Sequence, residues 1–147
     1  MLVFLHVKKG NVNIVRILME NNAITETITL KPNIENSGLA IAIKHGNLEI
    51  VKCLVEEFNV PFDGYSFMFA ALSGNLEIMK YLKYKGCSWG GFSDYDGLLY
   101  KVTTMSMAAI NGNLDNMKWL LENGCSLNRD AGTSRLHIIN KLYENTL

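Results

Sequence analysis

The chain has little of what marks secreted, membrane-spanning or broadly electrostatic proteins. Its three cysteines, Cys53, Cys87 and Cys125, form an odd set with no CxxC, which argues against a disulfide framework and for reduced thiols. The two prolines, Pro32 and Pro61, both fall in stretches that read as breaks. Apolar runs stop at five or six residues, as at 1–5 and 39–43, far short of the roughly 20 that span a bilayer. Residues 1–10 lack a signal peptide's charged start and long apolar middle. No charge sign dominates: 14 basic and 14 acidic residues cancel, which removes the broad attraction that nonspecific binding to nucleic acid or an anionic membrane would need. The expectation is an intracellular protein, in cytoplasm or nucleus, with neither nucleic acid nor membrane as its partner. With 48% apolar and 19% charged residues, the length fits one domain, 1–147, that buries a core.

What the chain does contain is one phrase written four times: GNVNIVRIL from Gly10, GNLEIVKCL from Gly46, GNLEIMKYL from Gly74 and GNLDNMKWL from Gly112. In the second copy Leu48, Val51, Leu54 and Val55 share one helical face, while Glu49, Lys52 and Glu56 turn away from it. The asparagine after each glycine (Asn11, Asn47, Asn75, Asn113) is a preferred N-cap. Glu49, Glu77 and Asp115 follow in the first turn, where the helix dipole favours an acid. A short amphipathic helix recurring at intervals of 36, 28 and 38 residues cannot bury its apolar face alone, so the expected fold is a stacked solenoid.

A second, shorter helix is expected before each glycine. Residues 1–9 feed into Gly10, 37–45 into Gly46 with Ser37 as N-cap, 65–73 into Gly74 and 103–111 into Gly112. The second helix of the first unit ends at Asn21 and Asn22, both tolerant of a left-handed cap. The resulting units are 1–36, 37–64, 65–102 and 103–133, with 134–147 as a degenerate C-terminal cap. Between Trp89 and Thr103 the third unit carries eleven residues more than separate Phe62 from Tyr65. Solenoids place such insertions in loops on one face, often the binding face.

These units resemble the ankyrin repeat, whose first helix opens T-P-L-H and whose second reads G-H-x-E-I-V-K-x-L-L-x-x-G-A. The second-helix match is close. In the first helix the T-P-L-H places are held by Ser37-Gly38-Leu39-Ala40, Tyr65-Ser66-Phe67-Met68 and Thr103-Thr104-Met105-Ser106, so the hydrogen bonds of the usual Thr and His are expected to be missing. With Asn for His after the glycine, the units are similar to the divergent ankyrin arrays of amoeba-associated giant viruses, which would make the intracellular setting that of a host cell. The resemblance implies an all-α, ankyrin-type α-solenoid of stacked helix-turn-helix repeats with short hairpin-like loops. It also implies a non-enzymatic, monomeric scaffold that binds a partner protein through a concave groove and loops. The alternative is an inert structural segment of a larger array.

The residues offer nothing that competes with this reading. His6, His45 and His137 lie in different units with no nucleophile beside them, so no catalytic residue can be named. Cys125 and His137 have no second pair to complete a metal site. Gly90-Gly91 sits in no phosphate-binding motif, so no cofactor is expected. Phe62 and Trp89 recur at one place in successive units and are expected to pack between them. Trp119 aligns with Ile17, Cys53 and Tyr81 on the outer face. In the ankyrin pattern the two residues before each glycine project into the concave surface, here Lys8 and Lys9, Lys44 and His45, Leu72 and Ser73, and Ile110 and Asn111. They run from a basic end to an apolar one. Phe92, Tyr95 and Tyr100 in the insertion have no counterparts, and partner binding and local packing remain equal readings for them.

Overall fold

The computed structural model describes residues 2–21, 37–89 and 103–125, and every element they form is a helix. The units read α1 (Leu2–Lys9) and α2 (Val12–Glu20); α3 (Gly38–Lys44) and α4 (Leu48–Lys52, prolonged by a π-turn at Cys53–Glu57); α5 (Gly64–Ser73) and α6 (Leu76–Tyr84); α7 (Thr104–Asn111) and α8 (Leu114–Glu122). Within each unit the two helices meet at the phrase glycine. Gly10, Gly46, Gly74 and Gly112 all hold φ between 72° and 82°, the left-handed region where a Cβ is costly. The following amide reaches back five residues, as from Asn47 N to Ala42 O at 2.9 Å, so the first helix closes and the second leaves in a fixed direction.

The four phrase asparagines divide their work, contrary to the expectation of four caps. Asn75 and Asn113 do cap, accepting from Ile78 N at 2.9 Å and Asn116 N at 3.2 Å. Asn47 donates instead to the Val7 and Lys8 carbonyls of the unit before it. Between the third and fourth units the same link is made by Asn111, donating to Leu72 O at 3.1 Å, and by Asn116, donating to Gly74 O at 2.7 Å. Carbonyls left without partners at the end of a first helix are thus satisfied by the next unit. Asn21 is also unlike its expectation: its φ is −88°, and its side chain closes α2 by donating to Ile17 O at 2.7 Å.

First-helix caps are present, at Ser37 as expected and also in the third and fourth units, where the departures from T-P-L-H put the usual hydrogen bonds in doubt. Ser37 Oγ accepts from Ala40 N at 3.1 Å. Thr103 and Ser106 cap one another reciprocally, and Asp63 with Ser66 forms the same box two residues upstream of the aligned Tyr65.

Between its phrase glycine and the left-handed residue that follows the second helix, the second unit has one residue more than the third and fourth, and the π-turn absorbs it. Gly86 and Gly124 stand twelve residues after their phrase glycines with φ of 82° and 86°; in the second unit the left-handed residue is Asn59, thirteen after Gly46, with φ 51°. Phe58 N reaches Cys53 O at 3.3 Å, a five-residue step, which takes up the extra residue inside the helix. Register is restored immediately. Val60, Cys87 and Cys125 each bond back to the buried leucine of their unit, Leu54, Leu82 or Leu120, at 2.9 Å, and all three side chains are buried.

The first helices pack on one another in order, α1 on α3, α3 on α5 and α5 on α7, and α4 packs against α2 and α6. The core between them is continuous from Val3 to Cys125. Trp89 packs between units as expected, its ring edge-on to Phe67 at 4.9 Å and to Trp119 at 6.4 Å, with the Lys83 ammonium 3.9 Å from its centroid. The segments 22–36 and 126–147, including the proposed cap, lie outside the described residues.

Leu54 is fully buried, so Leu54→Ala is expected to cost about 2–5 kcal/mol in denaturant melts. A second expectation separates backbone strain from the inter-unit bond. A Cβ at Gly74 would stand 2.5 Å from Asn111 Oδ1, whereas one at Gly112 would meet nothing within 4 Å. Gly112→Ala should cost only the left-handed strain, about 1–2 kcal/mol. Gly74→Ala should cost more because it also displaces Asn111, and in an Asn111→Ala background that excess should vanish.

Candidate binding surface

The two helices of each unit carry different charge. No acidic residue occurs in α1, α3, α5 or α7, whose basic groups are His6, Lys8, Lys9 and Lys44, with His45 at the end of α3. The second helices carry both signs. There the charges are engaged between units: Arg16 clasps Glu57 through two bonds of 2.6 and 2.7 Å, and Glu56 accepts from Lys85 at 2.8 Å and from Tyr81 Oη at 3.1 Å. Glu56, which the helical pattern places simply outward, thus ties the second unit to the third. Glu49–Lys52 and Glu77–Lys80 close at 3.2 and 3.1 Å within their helices.

Bonds from Lys85 and then Tyr81 lower the Glu56 carboxyl below its ordinary value, and the Arg16 bond lowers Glu57. Burial, then Glu56, raises the Tyr81 phenol well above its usual range. Cys87 and Cys125 are pushed up to about 11, chiefly by burial, and all three cysteines are free. These groups are held in their neutral or paired forms, which is the chemistry of a structural face.

The residues singled out before each glycine lie at the open end of the first helices. Lys8, Lys9 and His45 are exposed. Lys44 is half-buried, its ammonium 4.9 Å from the Phe69 ring centroid. Leu72 and Ser73 are half-buried, with Ser73 Oγ donating to Ala70 O at 2.9 Å. Ile110 is 51% exposed; Asn111 is exposed but spends its amide on Leu72 O. Phe92, Tyr95 and Tyr100 lie outside the described residues.

Four further residues belong to this surface. Leu5, Ile41, Phe69 and Met107 each stand three positions before Lys8, Lys44, Leu72 and Ile110, on the same helical face. Leu5 is exposed and the other three are half-buried. Together they make an apolar row running across all four units, flanked by cations at one end and by Leu72 and Ile110 at the other. Their sequence signal was the constant offset of five residues before each glycine. Among the described residues no three His, Cys, Asp or Glu side chains gather to hold a metal, and no helix is long and apolar enough to cross a membrane.

Helix pairs that share one core, turn on a left-handed glycine and hand hydrogen bonds from unit to unit define an all-α repeat solenoid. The family described as Ankyrin repeats (3 copies) matches residues 3–93 and 67–139, nearly the whole chain, and the protein belongs to the ankyrin-repeat family. Among proteins of curated function, none matches it.

The paired carboxylates give a measurable signature. Because Glu56 and Glu57 titrate lower in the folded state than in the unfolded chain, their contribution is present above the ordinary carboxylate value. It is lost as pH falls through the lowered ones. The stability of the parent should therefore decline in urea melts taken below about pH 5. The decline should be shallower in an Arg16→Leu/Lys85→Leu variant, which starts lower and has less to lose.

Proposed function

We propose that the protein is a non-enzymatic scaffold that binds a partner protein along its first-helix face, the concave groove of the ankyrin pattern. The observation that carries this is the segregation of charge. The four first helices present an apolar row, with cations on α1 and α3 and no acid, while the acids sit on second helices and in turns. A surface that is half apolar and of one sign favours a segment that brings both apolar side chains and carboxylates. Lys8 and Lys9 would meet the acidic end, and Phe69, Leu72, Met107 and Ile110 would receive the apolar anchors. Family membership supports a protein partner in general terms, and three buried free thiols suit a reducing, intracellular setting.

Panning a displayed library of random linear peptides against the folded chain tests this. The enriched peptides should combine acidic and apolar residues. Ile110→Asp should abolish enrichment without loss of fold, because this side chain is half exposed; Leu72 is too buried to serve as cleanly. Lys8→Ala/Lys9→Ala should weaken binding and flatten its salt dependence. A folded Ile110→Asp variant that enriches the same peptides would sink the assignment. Absence of any enrichment would favour the inert segment of a larger array.

A further inference from the structure

The units are equivalent in sequence but not in what covers them. Ile14, four residues after its glycine, is 39% exposed, while Ile50, Ile78 and Asn116 at the same offset are 1%, 0% and 3% exposed. Ile17 is 57% exposed where Cys53 is 2%, and Leu2 is 61% exposed where Ser66 is 2% and Thr104 is 0%. Leu18 is half-buried where Leu54, Leu82 and Leu120 are fully buried. In the later units the preceding helix pair stands over these places. The polar link differs in the same sense: Asn47 donates to carbonyls of the preceding unit, whereas Asn11 contacts His6 of its own unit, Nδ2 to Nδ1, at 3.1 Å.

We propose that this outer face of α1 and α2 is a docking surface for a further ankyrin-type helix pair, placed ahead of them in the same solenoid and stacked as α1 and α2 stack on the second unit. This face continues the interfaces by which each later unit stacks on the one before it. Leu2, Ile14 and Leu18 stand at offsets the stack buries three times over, and Ile17 stands at one that is buried in Cys53 and half-buried in Tyr81 and Trp119. Asn11 carries the amide that would reach the carbonyls of the added pair. A unit that closes a solenoid has a polar outer face; this one presents Leu2, Ile14 and Ile17. Leu2 also refines the fit. It is larger than Gly38, Ser66 or Thr104 at the same offset, so the covering pair must leave room opposite it. This inference stands independently of what occupies the first-helix face.

The test extends the full chain by a copy of residues 37–64 placed directly ahead of Met1. Met1 and Tyr65 both stand nine residues before their glycines, so the graft keeps register. The extended chain should melt in a single urea transition with a higher midpoint and a steeper slope than the parent, and its added unit should resist limited proteolysis. Ile14→Asp/Ile17→Asp should shift the parent's midpoint little. In the extended chain the same pair of changes should cancel the gain and expose the added unit to cleavage. The proposal is overturned if the added unit is cleaved both in this chain and in a Leu2→Ser version, which removes the steric mismatch. It is equally overturned if Ile14→Asp/Ile17→Asp unfolds the parent. Concentration-dependent association of the parent, abolished by that variant in sedimentation runs, would make a second copy the occupant and overturn it too.

Discussion

A single backbone constraint organises this protein: between the two helices of every unit one residue must adopt a left-handed conformation. Gly10, Gly46, Gly74 and Gly112 meet it with nearly the same φ, so each second helix leaves its first in the same direction. That sameness lets first helices align beside first helices. It also brings the end of each first helix within reach of an asparagine from the next unit, so the turn that shapes a unit also sets where the units join. Gly46 and Gly74 are constrained twice. Their missing Cβ atoms leave space filled by the amides of Asn75 and Asn111, and strain and crowding would then act together.

The division of charge follows from this geometry. Second helices of adjacent units bring long side chains together, and ion pairs form there with geometry better than isolated surface pairs usually have. The Arg16 and Glu57 fork is bidentate, and Glu56 gathers both Lys85 and Tyr81. Exposed pairs of this kind contribute little singly, yet they crosslink successive units on one side of the stack. The first helices meet through a chiefly apolar core, with the Lys44 ammonium of α3 reaching the Phe69 ring of α5 at 4.9 Å. A face joined chiefly by apolar packing can present cations and half-buried apolar side chains outward.

Much of the fold was legible because the phrase is. Its helical phase placed Leu54 in the core, and Leu82 and Leu120 at the same offset are buried with it. The recurring aromatic placed Trp89 between units. What the sequence did not disclose were choices decided by neighbours. An asparagine that caps its own helix and one that donates to the preceding unit look the same in a phrase, and only the distance to a carbonyl separates Asn75 from Asn47. The π-turn was hidden for a related reason: one extra residue shifts Phe58 into the place of a glycine and passes the left-handed role to Asn59, which local pattern reads as an ordinary turn. Of the surface, the pairs before each glycine were visible because they abut the repeated motif. The row formed by Leu5, Ile41, Phe69 and Met107 was not singled out, since partial exposure of an apolar side chain on a first helix has no compositional signature.

In a stack where each unit contacts only its neighbours, stability is close to a sum of unit and interface contributions, and the proposed ligand segment would change that sum in a definite way. A partner spanning from Lys8 to Ile110 touches all four units and every junction between them, so its binding free energy is drawn from states in which all three junctions are closed. States with one junction open lose part of the contact, and binding must therefore raise the cooperativity of the array as well as its stability. A ligand confined to Leu72 and Ile110 would reinforce a single junction and leave the first two units to open as before. Length of the bound segment, rather than its affinity alone, thus decides whether this scaffold behaves as one rigid body or as a chain of separable units.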